Sequence, residues 1–277
     1  MRAQAPLDLR NRRGVITGAG SGIGRALAEQ FGQRGARLLL VGRREPLLRE
    51  TAEAVVEAGG IAEVLAADIT ADGAPEVIAD AAREAVGMVD LLVNNAGNVC
   101  AGRLEQCDVA DIHAMVDLNL TAPILLTRAL LPQLRALARP GGSIVLTIAS
   151  GIALVSLPFY TTYAATKTGV AAFGHALRRE LYGSGVHVAT AYPGATATAM
   201  MDTSTAGEDL GFGRRPVEDV VTDMLEALGR GEHEINTSLP TRRAMQQMHA
   251  RDPLAVDAAL APRLDELEAA VRHHRSI

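Results

Sequence analysis

Short apolar runs recur along the chain at residues 14–17, 37–41, 61–66, 89–93, 143–148, 186–191 and, more weakly, 233–237. Runs of this length with little polar alternation suit strands buried on both faces of a sheet. Between them lie stretches of Ala, Leu, Glu and Arg with helical spacing, for instance residues 25–34, 46–58 and 74–86. Strand and helix alternate, which predicts a doubly wound α/β architecture: one parallel sheet of about seven strands with helices on both faces.

No break in composition, long linker or internal repeat divides the 277 residues, so a single domain is predicted, with a core over 12–238 and a helical extension over 239–277. Two segments stand outside the alternation. Residues 199–215 carry Gly207, Gly211 and Gly213 and read as a mobile loop. In the extension, Leu260, Leu264, Leu267 and Val271 follow helical spacing and form a narrow apolar stripe. That stripe must pack against the chain's own core, the mouth of a site or another subunit.

Composition narrows the function. A net charge of −5 without a cluster of Lys and Arg weighs against nucleic acid as a partner. Cys100 and Cys107, the only cysteines, are too few for a disulfide framework or a zinc site and fit a reducing cytoplasm. Residues 1–13 are basic but lack the apolar run of a secretory signal, and read as a solvated tail. Residues 140–166 contain no Asp, Glu, Lys or Arg, yet Gly141, Gly142, Gly151 and Pro158 interrupt them. They predict a strand, a loop and a helix start, not a membrane span. His113 and His175 have no second ligand at metal spacing, so no metal site is predicted. His273 and His274 read as positive character at a helix C-terminus.

The first chemical signal is Thr17-Gly18-Ala19-Gly20-Ser21-Gly22-Ile23-Gly24, placed between the first strand and the first long helix. Glycines there permit a tight turn and close approach of phosphate oxygens, while the helix N-terminus offers unpaired N–H groups. A dinucleotide diphosphate is the ligand this predicts, although the spacing is not the general G-x-G-x-x-G fingerprint. The second strand ends Leu40-Val41-Gly42-Arg43-Arg44, with two guanidiniums and no carboxylate at its tip. Guanidiniums suit a ribose 2′-phosphate better than a 2′-hydroxyl, so NADP(H) is predicted over NAD(H).

The second signal is Tyr163-Ala164-Ala165-Thr166-Lys167. Four residues apart on a helix, the Lys167 ammonium can lie near the Tyr163 phenol and favour its ionised form, making the tyrosine a general acid or base. Ser150 closes the fifth strand thirteen residues earlier and can share one substrate oxygen with Tyr163.

With these residues in place the chain resembles the short-chain dehydrogenase/reductase family, in its TGxxxGxG and YxxxK form. The resemblance runs over residues 14–237. It takes in the glycine turn, Asp68 after the third strand, Asn94-Asn95-Ala96-Gly97 after the fourth, Asn119, Ser150, Tyr163, Lys167, and Pro193-Gly194 followed by Thr198. It implies a Rossmann-like sheet and assigns roles: Ser150 orients and polarises a carbonyl, Tyr163 donates the proton, Lys167 lowers the tyrosine pKa and binds the nicotinamide ribose, and Asn119 holds a relay water. Gly18, Ser21, Gly22, Ile23, Gly24, Arg43, Arg44, Asp68, Ile69, Asn95, Ala96, Gly97, Pro193, Gly194, Thr196 and Thr198 would bind the cofactor along with Tyr163 and Lys167. Thr166 stands where Ser is commoner and Thr196 where Val is common. The family also implies a homodimer or homotetramer built on the helices over residues 121–138 and 164–181.

The loop over residues 151–160 is apolar and Met200 follows nearby. Ile152, Phe159, Tyr160 and Met200 are thus expected to line a pocket for a lipophilic small-molecule ketone, aldehyde or alcohol, with Ser150 and Tyr163 at the reacting oxygen. Two other readings remain: an NADP(H)-binding sensor or scaffold without turnover, and an epimerase or dehydratase that retains its dinucleotide.

Overall fold

The computed structural model describes residues 6–137 and 142–276. Seven strands form one parallel sheet: β1 (Arg13–Thr17), β2 (Arg37–Gly42), β3 (Ile61–Ala66), β4 (Leu91–Asn94), β5 (Ser143–Ile148), β6 (Val186–Tyr192) and β7 (Glu234–Asn236). Their order across the sheet is β3-β2-β1-β4-β5-β6-β7. The connecting helices are α1 (Gly22–Gly32), α2 (Glu45–Glu57), α3 (Ala74–Val86), α4 (Val109–Val116), α5 (Ala122–Ala136), α6 (Thr161–Glu180) and α7 (Val217–Gly229). The extension adds α8 (Pro240–Arg251), α9 (Pro253–Leu260) and α10 (Leu264–Val271).

Alternate residues of each central strand serve opposite helical layers, as a period of two requires. Ile16, Leu38, Leu40, Leu91 and Leu146 pack with Leu27 and Phe31 of α1 and Met224 of α7. Val15, Leu39, Val41, Leu92 and Val145 pack with Ile78 of α3, Leu126 and Leu130 of α5 and Leu177 of α6. β3 departs from the expectation of burial on both faces. It is an edge strand whose Ile61 is 47% exposed, because no strand among the described residues pairs beyond it.

The basic N-terminal segment also differs from a solvated tail over the part described. The Leu7 amide donates to the Gly229 carbonyl at 2.9 Å, Leu9 is buried in the core, and the buried Arg12 guanidinium donates to the Asp8 and Gly142 carbonyls. Residues 1–5, and residues 140–141 of the uncharged stretch, lie outside the described residues. The rest of that stretch becomes β5, a loop and the start of α6. By length and composition the helical stretch Val109–Ala136 could cross a membrane. Here Leu126, Leu130 and Leu134 press it onto the sheet.

Candidate active site

Strand order reverses between β1 and β4, and the diverging connections open a cleft at the carboxyl ends of the strands. The cleft encloses about 1000 Å³. Its floor is the glycine turn. Gly18 has φ of 64°, and a side chain there would meet the Ala96 backbone at 2.9 Å. At Gly24 a side chain would collide with the Gly18 carbonyl. α1 begins at Gly22, inside the motif and three residues earlier than its apolar periodicity suggests, so its unpaired amides lie within the turn itself. Asn95 pins the arrangement: its Nδ2 donates to the Thr17 carbonyl at 2.9 Å, and Thr17 Oγ1 accepts from the Asn95 and Ala96 amides at 3.0 and 3.1 Å.

At the tip of β2, Arg44 donates to Ser21 Oγ at 3.1 Å, which holds a guanidinium over the glycine turn. Glu45, the carboxylate able to compete for these arginines, is paired with Arg49 instead. Asp68 accepts from the Thr70 amide and hydroxyl at 2.9 and 2.7 Å; these bonds, and after them the Arg43 charge, hold its carboxyl below the usual range. Ile69 lies beside it on the cleft wall. Across the cleft, a side chain on Gly22 would lie 3.1 Å from Thr198 Cγ2, so the 193–198 segment faces the turn. Thr196 is buried, and its hydroxyl donates to the Gly194 carbonyl at 3.0 Å.

Ser150, Tyr163 and Lys167 all line this cleft. Ser150 ends the extended run of β5, and its Oγ accepts from the Ile152 amide at 3.2 Å, which fixes the hydroxyl at the strand tip. One turn apart on α6, Lys167 Nζ lies 5.9 Å from the centre of the Tyr163 ring and donates to the Ile148 carbonyl at 3.0 Å. Burial dominates both groups. It pushes the Tyr163 phenol up to about 12, against a lowering by Ser150, and draws the Lys167 ammonium down to about 8. The lowered phenol expected from the lysine's proximity is therefore not what this arrangement gives, because burial disfavours the phenolate by more than the Ser150 hydrogen bond favours it. At neutral pH the pair stands as a protonated phenol beside an ammonium.

Asn119 sits in a single π turn, Asp117–Thr121, between α4 and α5. Its side chain accepts from the Asn98 amide and donates to the Asn98 carbonyl, both at 2.9 Å, and reaches Thr166 Oγ1 at 3.2 Å. A side chain on Gly97 would fall 3.0 Å from Asn119 Oδ1 and 3.3 Å from Lys167 Nζ, so only glycine leaves room between them.

The other end of the cleft is apolar and is closed by the extension. Leu267 and Val271 of the stripe are buried against Val99, Ile152, Leu157, Tyr160, Met201 and Phe212, which answers where the stripe docks. The segment over residues 199–215 forms two short turns that bury Met201, Ala206 and Phe212 beneath it, instead of an open loop. Beyond α10 the chain pairs with the strand-like arm after Asn95: the Ala101 amide donates to the His274 carbonyl and the Ser276 amide to the Val99 carbonyl, each at 2.9 Å.

Two residues differ from their sequence reading here. His274 is not an exposed helix-end charge: it is buried, its Nε2 lies 2.9 Å from the Met200 carbonyl and its Nδ1 2.6 Å from the Tyr160 hydroxyl. A carbonyl only accepts, so Nε2 carries the hydrogen and Tyr160 donates to Nδ1. Phe159 is absent from the cleft wall. Its backbone has φ of 68°, and the Arg103 guanidinium stands 5.7 Å from its ring centre. Ile152, Tyr160 and Met200 do line the cleft. Arg242, His274 and Arg275 line it too, and no local motif announced them.

A glycine cradle that side chains would fill, free helix amides and guanidiniums at the tip of β2 together fit a dinucleotide. Comparison with known proteins agrees. The short chain dehydrogenase family model matches residues 13–209. The chain is 32% identical over 212 residues to a fatty acyl-CoA reductase of Mycobacterium tuberculosis, covering 75% of this chain and 71% of that protein. A short chain dehydrogenase/reductase from Burkholderia phymatum, solved with NAD, superposes with a TM-score of 0.81 at 26% identity, over 90% of this chain and 96% of that one. A short chain dehydrogenase from Burkholderia cenocepacia, solved with NADP, gives 0.72 at 25% identity over 83% and 97%. The chain spans 62%, 71% and 73% of the length of three curated relatives it matches. It belongs to the short-chain dehydrogenase/reductase family of oxidoreductases, and the two solved Burkholderia relatives bind NAD and NADP respectively.

Proposed function

We propose that the protein is an NADP(H)-dependent oxidoreductase that interconverts a lipophilic ketone or aldehyde and its alcohol. The observation that carries this reading is the meeting of Ser150, Tyr163 and Lys167 in one cleft with the glycine turn. The turn, the α1 amides, Asn95 and the 193–198 segment hold the dinucleotide, which when bound supplies or accepts the hydride. Arg43 and Arg44 favour its 2′-phosphorylated form, since Glu45 is engaged elsewhere. Ser150 donates to the substrate oxygen and orients it, while Tyr163, protonated at neutral pH, gives that oxygen its proton in the reductive direction. Lys167 restores charge balance behind the phenol. Substrate-side residues Ile152, Tyr160 and Met200, with Leu157 and Phe212, exclude water and select an apolar body. The named activity of the mycobacterial relative, on a fatty acyl compound, supports the lipophilic reading.

A panel of ketones, aldehydes and sugars with each cofactor, followed at the nicotinamide absorbance, tests this. Oxidation of NADPH by bulky apolar ketones, faster than of NADH, is the expected result; turnover of polar sugars alone contradicts it. We also place self-association on the outer faces of α5 and α6, where Leu125 is 42% exposed. A monomer by light scattering at micromolar concentration would remove that assignment.

A further inference from the structure

The apolar end of the cleft contains a cation, Arg242, whose charge no carboxylate of the described residues balances by an ion pair. Arg242, on α8, lines the cleft and is only 8% exposed. Its Nη2 donates to the Val155 carbonyl at 3.3 Å, and its Nη1 lies 3.4 Å from the Met245 thioether, a weak acceptor. Among the described residues no carboxylate forms an ion pair with it. Two other guanidiniums of the same cleft are paired: Arg215 with Asp223 and Arg275 with Asp111, each at 2.8 Å. Arg43 and Arg44 belong to the cofactor end.

A guanidinium has five donors, and here one meets a carbonyl and one a sulfur. An uncompensated charge in an apolar wall is costly unless an anion completes it. The position relates this group to the chemistry. Val155 lies in the loop joining Ser150 to Tyr163, and a side chain on Gly211 would come within 4.0 Å of Arg242 Nη1. Tyr160, whose ring centre is 6.3 Å from that of Tyr163, lines the same cleft. The guanidinium and the Tyr163 phenol thus face one cleft, whose wall also carries the apolar Ile152, Leu157 and Phe212.

We propose that Arg242 receives the carboxylate of the substrate, and that the substrates are oxo-carboxylic acids whose carbonyl and carboxylate are separated by an apolar spacer. This deepens the reading above and rests on Tyr163 as the reacting group. It also refines the lipophilic class, since the body remains apolar while one end is anionic. The planar fork matches a carboxylate bidentately, which an ester or amide cannot reproduce.

The test uses the full chain loaded with NADPH. Calorimetric titration compares octanoate with octanamide, which share a tail and differ in charge. Octanoate is expected to bind tighter by about tenfold to a hundredfold, the range of a charge-assisted bond in a desolvated site. Arg242→Met should abolish that preference and Arg242→Lys should restore part of it, with melting temperatures recorded to establish folding. In turnover, medium-chain oxo acids should exceed their methyl esters in kcat/KM, mainly through KM, and Arg242→Met should affect the acids alone. Equal binding of octanoate and octanamide by the wild-type protein overturns the inference without any variant needing to fold, and so does an acid preference that survives in folded Arg242→Met. Ester turnover with no acid preference would sink the anionic subsite and leave the oxidoreductase reading standing. Octanoate preference without turnover of any ketone would do the reverse.

Discussion

The two ends of the cleft are built by different means. At the cofactor end, Thr17, Gly18 and Asn95 come from the tips of adjacent parallel strands, and sheet pairing alone brings them together. At the substrate end, Ile152, Tyr160, Phe212, Val271 and His274 come from segments spread over a hundred residues, none of them in the sheet. Regular backbone positions the first set, and side-chain packing positions the second. A shared cofactor can thus be held by a shared frame while the substrate wall is rebuilt from loops and a tail.

The sharpest way to break this comparison is at the junction of the two ends. Tyr163→Phe removes the proposed proton donor and leaves the glycine turn intact. Turnover should fall by about a hundredfold to ten-thousandfold, the usual contribution of a positioned acid or base, while NADPH binding by fluorescence titration stays unchanged. Retained turnover would remove Tyr163 from the chemistry. At the cofactor end, Arg43→Ala should raise the KM for NADPH by about tenfold to a hundredfold, the loss of a charge-assisted contact, and leave the KM for NADH alone. Equal effects on both would mean that Arg43 is a solvated surface group.

How much was legible follows the same division. The glycine turn, the tip of β2, Ser150, Tyr163 and Lys167 could be read because each depends on local spacing: a strand end, a helix start or one helical turn. The edge position of β3 could not be read, since its apolar run resembles those of the inner strands and only the absence of a neighbour exposes Ile61. The start of α1 was misplaced because Gly22 and Gly24 are poor helix formers that the turn geometry nonetheless places in the first turn. Arg242 and His274 were illegible for a different reason. Each acquires its meaning from partners far away in sequence, Val155 for one and Tyr160 for the other. The tail showed that it must dock, but an apolar stripe does not encode what it docks on.

The next effect in size is a pH dependence. Burial lowers Lys167 to about 8 and raises Tyr163 to about 12, so at pH 7 both carry their protons. The proposed reduction uses the protonated phenol and the charged lysine behind it. The rate should be level below pH 8 and fall by up to about tenfold per unit above it, as one proton is lost. Lys167→Met should lower the plateau and erase that limb. A limb that persists in the variant would assign it to another group.

The smallest effect on turnover belongs to the tail. His274 is held neutral by burial, with Nε2–H donating to Met200 and Nδ1 accepting from Tyr160. Its folded pKa is lowered, so the unfolded chain takes up the proton first; the stabilisation is complete above the ordinary histidine pKa and is lost as pH falls through it. His274→Phe keeps the ring but leaves the Tyr160 hydroxyl and the Met200 carbonyl without this partner, at a cost of about 1–3 kcal/mol, read as a lower melting temperature at pH 8. NADPH affinity should be unchanged, because no contact of His274 reaches the glycine turn. The variant should also be less destabilised than wild type by acidification from pH 7 to pH 5, having no imidazole to protonate. An equal acid response in both proteins would shift attention to His187, which burial and the stacked His233 also hold neutral, near the amino end of β6 and so away from the carboxyl ends that form the cleft.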